Sequence, residues 1–125
     1  MDEKDLKILI CDDSLLARRN LRETLKGLNC SNIIEVADGQ SAIDTYKNEK
    51  PDITFLDIVM PVKDGITAVK EICEFDSSAY VIMVSSVGTQ AHLKEAIKSG
   101  ASDFMQKPAT IEQLKHVITQ AITKG

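Results

Sequence analysis

Acidic, hydroxyl and amino side chains stand at the ends of short apolar runs in this sequence. Asp12 and Asp13 follow the first run, and Asp57 lies inside an otherwise apolar third run. Ser85 follows the fourth run, and Lys107 follows the fifth. A carboxylate within an apolar segment costs free energy unless it is paired or coordinated, so Asp57 most needs a chemical explanation.

Together these side chains could handle a phosphoryl group. Clustered carboxylates repel one another and raise the pKa of at least one member, and a hard divalent cation such as Mg²⁺ relieves that repulsion. Ionised Asp57 could then attack a phosphoryl group without a general base, forming an acyl phosphate. Mg²⁺, Lys107 and Ser85, with nearby backbone N–H groups, would stabilise the charge on the transferring oxygens.

Most of these residues also have a structural interpretation when each is taken alone. Asp12, Asp13 or Ser14 could cap the helix that follows. Ser85 could bond to backbone at a strand end, and Lys107 could be a solvated lysine. The functional interpretation therefore depends on the residues lying together.

The apolar runs alternate with segments of helical spacing. The β-branched runs predict five strands: Leu6–Cys11, Ile33–Ala37, Ile53–Ile58, Ala79–Val84 and Ser102–Gln106. The first, third and fourth are nearly continuous, as strands buried on both faces should be, and the second and fifth are weaker. Apolar residues at helical spacing lie in four of the five intervals: Leu21, Leu25 and Leu28; Ile66, Val69, Ile72 and Cys73; Leu93, Ala96 and Ile97; Ile111, Leu114, Ile118, Ala121 and Ile122.

This order predicts an α/β fold, a doubly wound (βα)5 domain with a parallel five-stranded sheet. Residues 1–125 are expected to form a single domain. Thr110 with Gln113 has the pattern of a capping box before the last helix. Ligands of such sheets bind at the carboxyl ends of the strands, which is where the polar residues fall.

Composition excludes several classes of protein. The net charge is −4 and the basic residues form no run, which argues against direct binding of nucleic acid. No apolar stretch approaches the roughly 20 residues that span a bilayer, and the charged N-terminus is unlike a signal peptide. Three widely spaced cysteines without a C-x-x-C pair indicate reduced thiols and a cytoplasmic protein.

In combination, these motifs resemble response-regulator receiver domains over essentially the whole chain. The resemblance rests on Asp12-Asp13, the segment 57–65, Ser85 and Lys107-Pro108. It implies a flavodoxin-like fold with strand order 2-1-3-4-5 and a signalling phosphoacceptor of a two-component system rather than an enzyme. Residues 85–90 and 95–101 are similar to free-standing chemotaxis (CheY-like) regulators.

The resemblance also implies a role for each acidic residue. Asp57 would take its phosphoryl group from a histidine kinase. Asp13, Asp57 and the main-chain carbonyl of Val59 would ligate Mg²⁺ directly, and Asp12 would assist through water.

Further roles follow for the residues near the phosphoryl group. Lys107 would pair with Asp57 and then with the phosphoryl group, and the Lys107–Pro108 bond would be cis. Ser85 would be the switch hydroxyl, and Phe104 the switch aromatic that turns inward with it.

Output would come from protein binding at the face formed by helix 4, strand 5 and helix 5. For a chemotaxis-type member the partner would be a flagellar motor switch protein, with no contact to nucleic acid or membrane. Val59 and Val87 are apolar where many relatives are polar, and both flank the path of water to the acyl phosphate. Slow self-hydrolysis is therefore expected.

Three alternatives remain at this stage. The chain could be the receiver of a longer regulator with a DNA-binding or enzymatic output domain. A flavodoxin-like cofactor binder would need a Ser/Thr/Gly-rich phosphate loop where Asp12-Asp13 stands. A phosphohydrolase with an aspartyl intermediate would commonly carry a second Asp two residues after a nucleophile on strand 1, whereas Ser14 and Leu15 follow the acidic pair here.

Overall fold

The computed structural model describes residues 2–86 and 90–124, so Val87 lies outside the described residues. Five strands are present: β1 (Lys7–Cys11), β2 (Asn32–Val36), β3 (Ile53–Leu56), β4 (Val81–Ser85) and β5 (Asp103–Gln106). Five helices alternate with them: α1 (Leu15–Gly27), α2 (Gly39–Glu49), α3 (Gly65–Phe75), α4 (Gln90–Lys98) and α5 (Ile111–Lys124). A short 3-10 helix at Glu3–Asp5 precedes β1.

All strand pairs are parallel, and the sheet order is β2-β1-β3-β4-β5. The expected (βα)5 architecture and strand order are thereby confirmed. No helix among the described residues is long and apolar enough to cross a membrane.

The sheet separates two apolar layers, because successive residues of a strand face opposite sides. One layer packs β-strand residues such as Leu9 and Leu56 against α2, α3 and α4. The other packs Ile10 and Phe55 against α1 and α5. β1, β3 and β4 are buried almost throughout, whereas β2 at the edge is only half-buried, as the weaker apolar run predicted.

The strand ends differ from the predicted runs where the site begins. β3 stops at Leu56, whereas the apolar run continued to Ile58, so Asp57 is the first residue beyond the strand. A hydrogen bond of 2.7 Å from the amide of Gly65 to the carbonyl of Ile58 closes the loop that follows. Conversely, Ser85 is the last residue of β4 rather than the first residue after it.

Side-chain caps start the helices close to the carboxyl edge of the sheet. Ser14, Asp38 and Asp64 are the N-caps of α1, α2 and α3, and each accepts a hydrogen bond from a backbone amide of the first turn. The capping box at Thr110 and Gln113 is also confirmed, with both reciprocal hydrogen bonds formed. Ser14, and not Asp12 or Asp13, therefore caps α1.

Candidate functional site

The functional side chains lie at one edge because parallel strands bring their carboxyl ends together. Backbone hydrogen bonds continue past the strand ends and hold these residues in place. The amide of Asp12 donates to Val36 O at 3.1 Å, and that of Asp57 donates to Cys11 O at 2.9 Å. The amide of Lys107 donates to Ser85 O at 2.9 Å.

The three predicted acidic residues meet. One carboxylate oxygen from each of Asp12, Asp13 and Asp57 lies within 4.8 Å of the others. Asp12 and Asp57 are buried, and Asp13 is exposed and opens the cluster to solvent. The donor set is all oxygen, spans the dimensions of one small cation and has one open side, so it fits a hard divalent ion that keeps some water.

Lys107 contacts two carboxylates rather than the one that was expected. Its Nζ donates to Asp57 Oδ2 at 3.0 Å and to Asp12 Oδ2 at 2.5 Å. Burial by itself would lower the pKa of this ammonium group, but the hydrogen bonds to Asp12 and Asp57 raise it. Lys107 is therefore a fixed positive charge between two of the three carboxylates.

The pKa of the Asp57 carboxyl is raised, as expected for a member of a carboxylate cluster. Burial raises the pKa of its carboxyl above the usual range, and the charge of Asp12 acts in the same direction. The hydrogen bond and charge of Lys107 oppose this rise, as does the Val59 amide, which lies 3.4 Å from Asp57 Oδ1. Its ionised form is thus short of compensating positive charge, which a cation would supply.

The loop after β3 depends on a glycine whose importance was not predicted. A Cβ on Gly65 would lie 1.9 Å from the carbonyl oxygen of Asp57 and 2.8 Å from Ile58 Cα. Asp64, the preceding residue, caps α3, with its Oδ1 accepting from the Thr67 amide at 2.8 Å. The close approach of two backbones could not be seen from the sequence.

Two further residues of this region were also missed. Val62 in the same loop has a φ of 69°, a left-handed conformation that strains a β-branched residue. On the other side of the site, Arg18 Nη1 donates to the main-chain carbonyl of Asp12 at 2.6 Å. An arginine within an amphipathic helix gives no sequence signal for such a contact.

The remaining predicted residues lie on β4, on β5 and in the loop after β3. Ser85 is fully buried at the end of β4, and Phe104 is half-buried on β5, where it packs against the apolar layer of α2, α3 and α4. The side chain of Val59 is exposed beside Asp57. The Lys107–Pro108 peptide bond is cis, as expected.

Comparison with known proteins agrees with this architecture. The sequence matches the family described as "Response regulator receiver domain" over residues 8–119. Chemotaxis protein CheY of Halobacterium salinarum is 39% identical over 121 residues, covering 90% of this chain and 97% of that protein. The protein-glutamate methylesterase/protein-glutamine glutaminase of Methanococcoides burtonii is 32% identical over 122 residues, covering 95% of this chain but 34% of that longer protein.

A solved structure gives the same result in three dimensions. The crystal structure of the CheX-CheY-BeF3-Mg+2 complex from Borrelia burgdorferi superimposes with a TM-score of 0.86 at 34% identity. The match covers 94% of this chain and 89% of that one. With the family match spanning most of the sequence, the chain belongs to the response regulator receiver domains and is CheY-like.

Proposed function

We propose that the protein is a phosphorylation-operated switch in which Asp57 accepts a phosphoryl group from a histidine kinase. The observation that carries this proposal is the meeting of Asp12, Asp13 and Asp57 within 4.8 Å, with Lys107 Nζ bonded to two of them. Residues 1–125 act as one receiver domain, which signals and does not turn over a separate substrate.

The transfer step uses the carboxylate of Asp57 as nucleophile. One of its oxygens forms a bond to phosphorus while the bond from phosphorus to the donor imidazole nitrogen breaks and that nitrogen keeps the electron pair. Asp57 has no proton to lose in its ionised form, so the chain needs no general base. The product is an acyl phosphate on Asp57.

The surrounding residues supply charge and position. Asp13, Asp57 and the main-chain carbonyl of Val59 would hold Mg²⁺, with Asp12 assisting through water, and the ion would supply positive charge to the phosphoryl oxygens. Lys107 pairs with another oxygen and releases Asp57 Oδ2 in exchange. The Ser85 hydroxyl donates a hydrogen bond to a third phosphoryl oxygen, which draws the end of β4 toward the site.

Output follows from the movement of Ser85. Phe104 on β5 packs against the apolar layer formed with α2, α3 and α4, so its ring can follow a shift of the end of β4. Leu93 and Ile97 of α4 are apolar yet exposed, which suits a protein-binding face formed by α4, β5 and α5. Phosphoryl group and target favour the same conformation and therefore strengthen each other's binding.

The pathway we propose is chemotaxis, with a flagellar motor switch protein as target. The support is the similarity to CheY of Halobacterium salinarum, which this chain matches over 97% of that protein's length. The methylesterase relative shows that a receiver of this kind also occurs within a longer protein, which keeps an attached output domain as the second candidate.

Intact mass measurement after incubation with phosphoramidate or acetyl phosphate and Mg²⁺ tests the phosphoacceptor role. We expect the mass of one phosphoryl group to be added to the wild type and none to Asp57→Asn. Omission of Mg²⁺ should abolish the gain. No modification of the wild type by any donor, including a kinase phosphorylated on histidine, would overturn the proposal, and catalytic turnover of a phosphate ester would favour a phosphohydrolase instead.

A further inference from the structure

The acidic pair at the start of the site is attached to the edge strand by an arginine. Arg18 Nη1 donates to the main-chain carbonyl of Asp12 at 2.6 Å, and its Nε donates to Glu35 Oε1 at 3.1 Å. Glu35 belongs to β2, so one guanidinium joins the β1–α1 loop to the neighbouring strand. Both side chains are largely buried, at 15% and 21% exposure.

The Asp12 carbonyl that Arg18 binds takes no part in the backbone hydrogen bonding of α1. In α1 the amide of Arg18 donates to Ser14 O at 3.0 Å, so the helical ladder starts at Ser14. A carbonyl left unpaired in a partly buried position is unfavourable, which gives this contact a clear energetic reason. The guanidinium is planar and donates along two fixed directions, so it sets an orientation as well as a distance.

This contact fixes the peptide group between the two acidic residues. The Asp12 amide is already bonded to Val36 O at 3.1 Å, and Asp12 Oδ1 accepts from the Ser14 amide at 2.9 Å. With the carbonyl also held, rotation of the peptide plane that joins Asp12 to Asp13 is restrained. The direction of the Asp13 carboxylate, which is otherwise exposed, depends on that plane.

Arg22 provides a natural comparison on the same helix. Its Nη1 donates to Glu35 Oε2 at 2.8 Å, so it shares the carboxylate with Arg18. Burial disfavours the charge on Glu35, but the hydrogen bonds from Arg22 and Arg18 lower its pKa overall and keep it ionised as their common anchor. Among the described residues, the hydrogen bonds of the Arg22 side chain end at Glu35, whereas those of Arg18 continue to the acidic site.

We propose that Arg18 is a positioning residue for the cation site: by holding the Asp12 carbonyl against Glu35, it pre-sets the Asp12 and Asp13 carboxylates for the ion. This inference rests on the proposed function, because it takes these carboxylates to be the Mg²⁺ ligands. Residues that orient metal ligands typically contribute about 10- to 100-fold to metal affinity.

Calorimetric titration of the unphosphorylated full chain with Mg²⁺ tests the inference, with Arg18→Met and Arg22→Met as a matched pair. Each variant removes one positive charge and one bond to Glu35, but only Arg18→Met frees the Asp12 carbonyl. We expect the Mg²⁺ dissociation constant to rise about 10-fold or more in Arg18→Met and to stay within about twofold in Arg22→Met. Urea unfolding in EDTA reports the folded fraction of each variant separately.

The outcomes separate the inference from the proposed function. Equal Mg²⁺ affinity in Arg18→Met and wild type, or an equal loss in both variants, would overturn the positioning role while leaving the phosphoacceptor role standing. Absence of Mg²⁺ binding in the wild type would contradict the proposed cation site itself. If Arg18→Met does not fold, Arg18→Gln decides: the glutamine amide nitrogen ends two bonds short of the position of Arg18 Nη1 and does not reach the Asp12 carbonyl, so affinity equal to wild type would overturn the inference.

Discussion

Substitution of Gly65 by alanine tests how closely the loop after β3 is fitted to Asp57. The new Cβ would lie 1.9 Å from the Asp57 carbonyl oxygen and 2.7 Å from its carbonyl carbon, whereas non-bonded carbon contacts settle near 3.5–4.0 Å. Both neighbours are backbone atoms, so no side-chain rotation relieves the overlap. The N-terminus of α3 must move away from Asp57.

The cost can be assembled from two contributions. Overpacking of this kind costs about 1–3 kcal/mol. The 2.7 Å hydrogen bond from Gly65 N to Ile58 O would lengthen, at a cost of about 1 kcal/mol. Loss of glycine's freedom in the unfolded chain returns about 0.4–1 kcal/mol, so we expect a net destabilisation of about 1–3.5 kcal/mol.

Urea unfolding followed by far-UV circular dichroism in EDTA measures this change, and Gly27→Ala is the matched control. A Cβ on Gly27 meets nothing within 4 Å at the last residue of α1, so alanine there should stabilise the protein by about 0.5–1 kcal/mol. Phosphorylation of Gly65→Ala by acetyl phosphate should slow up to about 100-fold, since a displacement of about 1 Å at a reacting group can cost that much. Wild-type stability and phosphorylation rate in Gly65→Ala would refute this account of the loop.

Four other changes have defined outcomes. Val59→Asn should shorten the lifetime of phosphorylated Asp57, measured by loss of the added mass, because a polar side chain there can guide water; a wild-type lifetime of seconds that this change lengthens would contradict slow self-hydrolysis. Val62 is a left-handed valine that is 79% exposed, so Val62→Gly should relieve its strain and raise the free energy of unfolding by about 0.5–1 kcal/mol. Val59 does not have a positive φ, so Val59→Gly should lower the free energy of unfolding. Glu35→Gln should lower the free energy of unfolding by about 1 kcal/mol at pH 7. Because folding lowers the pKa of Glu35, the stability difference between wild type and variant should shrink as the pH falls below about 4. A stability difference that does not change with pH would reject the ion-pair explanation. Phe104→Trp would place a single tryptophan in a chain that has none, and its emission should shift to the blue with beryllofluoride and Mg²⁺ if the ring turns inward; an unchanged spectrum would argue against that movement.

Local patterns in the sequence were enough to place the chemistry. Strand and helix periodicity depend on neighbouring residues, so the alternation of five strands with helices could be predicted along the chain. Parallel strands end at one edge, and this rule alone places Asp12, Asp57, Ser85 and Lys107 at the same edge of the sheet. α2 had no such apolar pattern and was expected only from the repeat; it forms with its cap at Asp38 and buries Ala42, Ile43 and Tyr46.

The family resemblance added what local patterns could not. The position of β1 between β2 and β3 depends on which distant segments pair, and periodicity carries no information on pairing. The cis bond before Pro108 and the distinct roles of Asp12 and Asp13 were likewise implied only by the resemblance. The fold and the cis bond are now observed, whereas the roles await experiment.

The sequence by itself thus determined the residue types at the site and the strand end that carries each of them. Only the tertiary structure decided which atoms meet: Lys107 bonds Asp12 as well as Asp57, Gly65 lies against the Asp57 backbone, and Arg18 holds the Asp12 carbonyl. The physical reason is the distance along the sequence over which each effect acts. Propensity and periodicity act over a few neighbouring residues, whereas a hydrogen bond between Lys107 and Asp12 depends on a distance of ångströms across 95 positions of sequence.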